Sequence, residues 1–241
     1  MEVEGHREEN SGRAYFKIIE NLEDKIKSDS QDVESRFILG SIYEEGENLS
    51  KAEQMYREVI RVCPEQSIAH FSLAKLLGKI DKLEEALVSC KEAVKLNSEE
   101  PEYYLLLAAI YDGIGSLDKA AEACEKALKL DSEDAEANFG LGAIYAKLNL
   151  IDFAIKKYKA AIKLEPDYLE AHHNLALAYE SEKDGFNAIL HLRIVKVLMV
   201  KEMDSKEAIN EMEEYLNELY LEYDYAPSDF EDSIDETDIQ N

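Results

Sequence analysis

The chain has 241 residues, 46% of them hydrophobic, so it carries enough apolar mass for a folded core. Its 27 basic and 53 acidic residues give a net charge of −26, and only four Pro and ten Gly interrupt it. That field repels phosphate backbones and anionic lipid, which argues against nucleic-acid binding and membrane docking, while the shortage of breakers favours long helices.

Residues 1–12, MEVEGHREENSG, are polar and charged without an apolar segment of signal-peptide length, and are expected to be disordered. No run of about 20 apolar residues exists, so no membrane span is expected, and the expected location is cytoplasmic. Residues 13–32 place Tyr15, Ile18, Ile19, Leu22 and Ile26 on one stripe of an N-terminal capping helix, Arg13 to Ser28.

A 34-residue period follows. "AVKLNSEE" at Ala93–Glu100, "ALKLDSED" at Ala127–Asp134 and "AIKLEPDY" at Ala161–Tyr168 each read as a helix end and a stop. In the window 135–168, Leu141, Gly142 and Tyr145 share one helical face, and Ala154, Tyr158 and Ala161 share another. Between them "LNLID" supplies Asn149 for a tight turn and Asp152 for an N-cap, and Pro166 stops the second helix. The pattern is a helix–turn–helix hairpin, repeated over 33–66, 67–100, 101–134, 135–168 and 169–202. The first-helix Leu recurs as Leu39, Leu73, Leu107, Leu141 and Leu175, followed by the small residues Gly40, Ala74, Ala108, Gly142 and Ala176. In the second helix alanine recurs as Ala52, Ala86, Ala120, Ala154 and Ala188. Small residues let two helix backbones approach while Leu and Tyr fill the groove beside them.

These windows resemble tetratricopeptide repeats over about 170 residues without insertions. The departures are the early aromatic of the first helix, replaced by Arg36, His70, Tyr104, Asn138 and His172, and an irregular fifth turn. The fold expected is all-α, a right-handed helical-repeat solenoid with N- and C-terminal capping helices.

The fifth second helix is apolar nearly all round, from Ile189 to Val200, and so must be covered. Residues 203–224 supply a cover. Asp204 and Glu207 read as a capping box, ahead of a stripe of Ile209, Met212, Leu216, Leu219 and Tyr223. The alternative cover is a second subunit, giving a homo-oligomer through these apolar C-terminal helices. Residues 225–241 are acidic and expected to be disordered, although Phe230, Ile234 and Ile239 could occupy the array's groove in cis.

No catalytic constellation is present, and an enzyme is not expected. Cys63, Cys90 and Cys124 lack a CxxC spacing, and equivalent sites in stacked helical layers, about 10 Å apart, exceed disulfide reach. His172 and His173 point about 100° apart on a helix and have no third ligand, so neither metal nor cofactor is expected. The resemblance implies instead that the free face of each first helix lines a groove for a partner peptide or amphipathic helix. Carried over by position, that face holds Phe37, Phe71, Leu105, Phe139 and His173, beside Lys75, Lys79, Ala109, Ala143 and Lys147. Gly78, Gly113 and Ala146 would leave room for a ligand. Two readings stand: an apolar row that anchors a partner, or aromatics that only pack between neighbouring first helices. The Lys and Asn clamp of heat-shock co-chaperones is missing, since its places hold Phe37 and Ser41, or Phe71 and Lys75. The function expected is a protein-interaction adaptor or scaffold. A self-assembling array and a chaperone for a client segment are alternatives, and RNA binding has the wrong charge sign.

Overall fold

In the computed structural model, residues 16–202 and 205–230 are described, and among them the fold is all-α helical repeat. α1 covers 16–28. Five first helices of 13 residues follow: α2 Val33–Glu45, α4 Ser67–Lys79, α6 Pro101–Gly113, α8 Ala135–Lys147 and α10 Leu169–Ser181. They alternate with α3 Leu49–Val62, α5 Leu83–Leu96, α7 Leu117–Leu130, α9 Ile151–Leu164 and the longer α11 Gly185–Glu202. α12 spans Lys206–Glu222, and a 3-10 turn spans Pro227–Phe230.

The turns explain the strict period. Glu47, Asp81, Asn149 and Lys183 all adopt φ near +60°, and Gly115 takes φ +74°, one residue per hairpin at 34-residue spacing. In the four non-Gly turns this residue and the next donate back to the end of the first helix; Asn149 N, for example, meets Ala146 O at 2.9 Å. A left-handed residue is tolerated by Asn, Asp and Gly but strains Glu47 and Lys183. The residue after it is the N-cap, so in the fourth hairpin Leu150 takes that place and Asp152, expected there, falls in the first turn. Side-chain caps do occur at Asp32, Asn48, Asp134 and Asp184, each accepting from the backbone N–H three residues on.

Two compact units divide the chain, Met1–Ile114 and Gly115–Asn241. In the first, α2 pairs with α3 and α4 with α5, α3 rests on α4, and α5 on α6. One core runs through it, with Leu22 of α1, Leu39, Tyr56, Leu73, Leu76, Leu77 and Cys90. Ile19 and Ile26 join Leu22 there, whereas Ile18 is 50% exposed and leaves the expected stripe. Tyr15 lies outside the described residues.

In the second unit α8 pairs with α9 and α10 with α11, α7 packs on α8, and α12 covers α11. Tyr158, Leu175, Tyr179 and Ala188 form one core; Ile189, Leu192, Leu216, Leu219 and Phe230 form another. α12 is capped by Ser205, whose hydroxyl accepts from Ala208 N at 3.4 Å; Asp204 lies outside the described residues. The expectation of disorder beyond residue 224 fails for 225–230. Phe230 is fully buried against Phe186 (4.8 Å, stacked), Tyr220 and Tyr225, so one aromatic ring leaving water anchors this otherwise acidic segment. Arg193 lies 5.5 Å over the same ring and donates to Pro227 O at 2.8 Å. Phe230 is therefore unavailable to a first-helix groove, while Ile234 and Ile239 lie outside the described residues. No helix among the described residues is long and apolar enough to cross a membrane.

Candidate functional site

Each unit presents its own set of first-helix positions. In the first unit α4 lies beside α6, so Phe71, Lys75 and Lys79 stand next to Leu105 and Ala109. Phe71 is half-buried and stacks on Tyr103 at 4.8 Å and 24°. Leu105 is half-buried, while Ala109 and Lys75 are exposed. A Cβ built on Gly78 would touch nothing within 4 Å, so the face is open at this point. Lys79 reaches across to Glu47 at 3.0 Å. On α2, Phe37 is half-buried against Tyr56 at 5.6 Å. The Tyr56 hydroxyl donates to Glu44 at 2.8 Å, and burial, opposed by Ser41 and reinforced by Glu44, pushes it up to about 12.

In the second unit α8 lies beside α10, bringing Phe139, Ala143 and Lys147 next to His173. Phe139 sits between Tyr158 at 5.9 Å and Tyr168 at 5.0 Å, half-buried like Ala143 and His173, and Lys147 is exposed. Leu177, one turn beyond His173 on α10, is 41% exposed.

The aromatic row is therefore shared. One side of each ring packs on a tyrosine of its own or the following repeat, and part of its surface remains open. Two positions expected to leave room do not. A Cβ on Gly113 would stand 3.1 Å from Leu83 Cδ1, so that glycine serves packing, and Ala146 lies against the Tyr158–Leu175 core. Among the described residues no cluster of three or more His, Cys, Asp or Glu could hold a metal ion.

The family profile described as Tetratricopeptide repeat matches residues 33–66, and that described as TPR repeat matches 114–149 and 151–182. The fold is that of known repeat structures. A crystal structure of MamA superposes with TM-score 0.66 at 23% identity, covering 69% of this chain and 98% of that one. MamA 41-end from Desulfovibrio magneticus RS-1 gives 0.67 at 17%, covering 72% and 97%. The chain carries tetratricopeptide repeats in the segments these profiles match. YrrB, described as a TPR protein with an unusual peptide-binding site, gives 0.64 at 16%, covering 76% of this chain and 94% of that one. At these identities the likeness is one of fold. No curated protein matches the sequence.

Seen as tetratricopeptide repeats, the windows carry one feature that sequence reasoning passed over. The polar residues in place of the early aromatic are buried, and their side chains clasp the loop that precedes their own helix. Arg36 Nη1 donates to Asp32 O at 2.6 Å, and Asn138 Nδ2 to Asp134 O at 2.9 Å. His70 Nε2 lies 2.8 Å from Pro64 O, and His172 Nε2 lies 3.0 Å from Pro166 O. A carbonyl can only accept, so both imidazoles carry hydrogen on Nε2. The available signal was the recurrence of nitrogen donors at one repeat position.

Proposed function

We propose that the protein is a non-catalytic adaptor that holds a partner's peptide or amphipathic helix against the first-helix faces of its units. What carries this reading is the α4–α6 face. Half-open Phe71 and Leu105 offer apolar anchoring, exposed Ala109 and open Gly78 give space, and Lys75 supplies positive charge in an acidic protein, beside a Lys79 already paired with Glu47. That combination fits an apolar-anchored segment with acidic neighbours, the helix-in-groove mode of recognition. YrrB's described peptide-binding site, on a similar fold, supports the same class of role.

The test is selection of binders from a displayed peptide library against the full chain, repeated with a Lys75→Glu plus Ala109→Arg variant. Both side chains are exposed, so the variant keeps its core. Selected peptides should carry spaced apolar residues flanked by Asp or Glu and should bind the variant at least about ten-fold more weakly, a loss of 1.4 kcal/mol. Peptides that bind both proteins equally place recognition elsewhere.

A further inference from the structure

We propose that His172 and His191 form an acid-opened clasp that fastens α11, and through it α12, to α10 in the second unit. His172 is 4% exposed, and its Nδ1 lies 2.9 Å from Nδ1 of His191. The Pro166 carbonyl fixes hydrogen on His172 Nε2. A neutral His172 therefore has only a lone pair at Nδ1, and His191 must donate from its own Nδ1. One added proton can sit on His191 Nε2, which leaves the bond in place, or on His172 Nδ1, which reverses it only if His191 moves its own hydrogen to Nε2. A second sets two N–H groups against each other, with no position for either hydrogen.

The surroundings oppose even the first proton. From α9, Lys159 is the charged group that bears on the pair, its ammonium 5.2 Å over the Tyr179 ring. From α10, Tyr179 stacks on His191 at 5.9 Å and 6°. On the α12 side, Arg193 of α11 donates to Tyr220 at 3.2 Å, and Lys196 pairs with Glu213. Among the described residues no carboxylate hydrogen-bonds either imidazole. Burial first, then His172 and Lys159, bring His191 down to about 3, and burial lowers His172 as well.

The sign follows. Both rings are neutral when the clasp is closed, while a released histidine titrates near 6.5. The open state thus takes up protons first, so the clasp is intact above about pH 6.5 and weakens as pH falls. Each histidine contributes up to about ten-fold per pH unit, and His191 alone lowers the closed-to-open ratio roughly 30-fold by pH 5.

This arrangement belongs to the last repeat. The positions equivalent to His172 and His191 hold His70 and Ser89 in the second repeat, and Asn138 and Lys157 in the fourth. Lys157 Nζ donates to Asn138 Oδ1 at 3.3 Å, a link that contains no imidazole. Opening the terminal hairpin would bare Ile189, Leu192, Leu216 and Leu219, a surface now shared by α11 and α12.

The test compares the full wild-type chain with His172→Asn plus His191→Lys, which imports the fourth repeat's link. Amide exchange protection of α11 and α12, corrected for intrinsic exchange, is read at pH 7.5 and 5.0. Wild type should lose at least about ten-fold and the variant less than two-fold. Equal losses in both, or none in wild type, overturn the proposal. Imidazole ¹⁵N spectra of wild type decide it independently of the variant's folding. His191 should carry hydrogen on Nδ1 at pH 7.5 and not titrate near 6.5; the opposite tautomer or an ordinary titration overturns the clasp.

Discussion

Gly142→Ala probes the packing on which each hairpin depends. A Cβ on Gly142 would stand 2.7 Å from Tyr158 Cε1, 2.8 Å from Cδ1 and 3.3 Å from Lys157 Cβ. The ring cannot swing aside freely, because Tyr158 is 2% exposed and Phe139 rests on it. Overpacking of this kind costs about 1–3 kcal/mol, and the gain in helix propensity offsets roughly 1 kcal/mol. A net loss of up to about 2 kcal/mol is expected, with melting falling by about 2–4 °C per kcal/mol. The repeats contain their own control. Gly40 faces Tyr56 at 2.8 Å in the same way, whereas Cys90 and Leu192, equivalent to those tyrosines, accompany Ala74 and Ala176. Tyr158→Leu should therefore cost about 2–3 kcal/mol alone but about 1–2 kcal/mol less in the Gly142→Ala background. Thermal and urea unfolding of the four proteins measures this coupling. Additivity within about 0.5 kcal/mol, or a single Ala variant more stable than wild type, would refute the reasoning.

Other expectations follow from individual contacts. Phe230→Ala should destabilise the second unit by about 3 kcal/mol and raise exchange in α12, where a purely solvating segment would change neither. Lys183→Asn relieves a left-handed lysine and should stabilise by about 0.5–1 kcal/mol in thermal melts. His70→Leu leaves the Pro64 carbonyl without its partner and should cost about 1–3 kcal/mol in urea unfolding. Burial pushes the Cys90 thiol up to about 12, so it stays protonated at pH 8, and its alkylation should track global unfolding rather than run ahead of it.

Much of the fold could be read from spacing because the interval between first helices is set by chain geometry. Helices of 13 and 14 residues joined by fixed turns return the chain to register every 34 residues. The turn conformation itself was not legible. Position 47 is Glu and position 183 is Lys, residues that give no left-handed signal, and they adopt it because the hairpin path requires it. The seat of Phe230 was hidden for a different reason. Its acidic neighbours suggest a solvated segment, whereas the pocket is assembled from Tyr220 together with Phe186 and Arg193 of α11, which are distant in sequence. The face of the candidate site was recoverable by position, but the sequence could not show that Phe71 and Phe139 spend part of their surface on Tyr103 and Tyr168.

The most direct test of the proposed role is the hydrogen-exchange footprint of a selected peptide on the full chain. The account predicts new protection and side-chain perturbation on α4 and α6, or on α8 and α10, centred on Phe71, Ala109 and Phe139. A footprint confined to the second helices α3 and α5, or to α12, would contradict it.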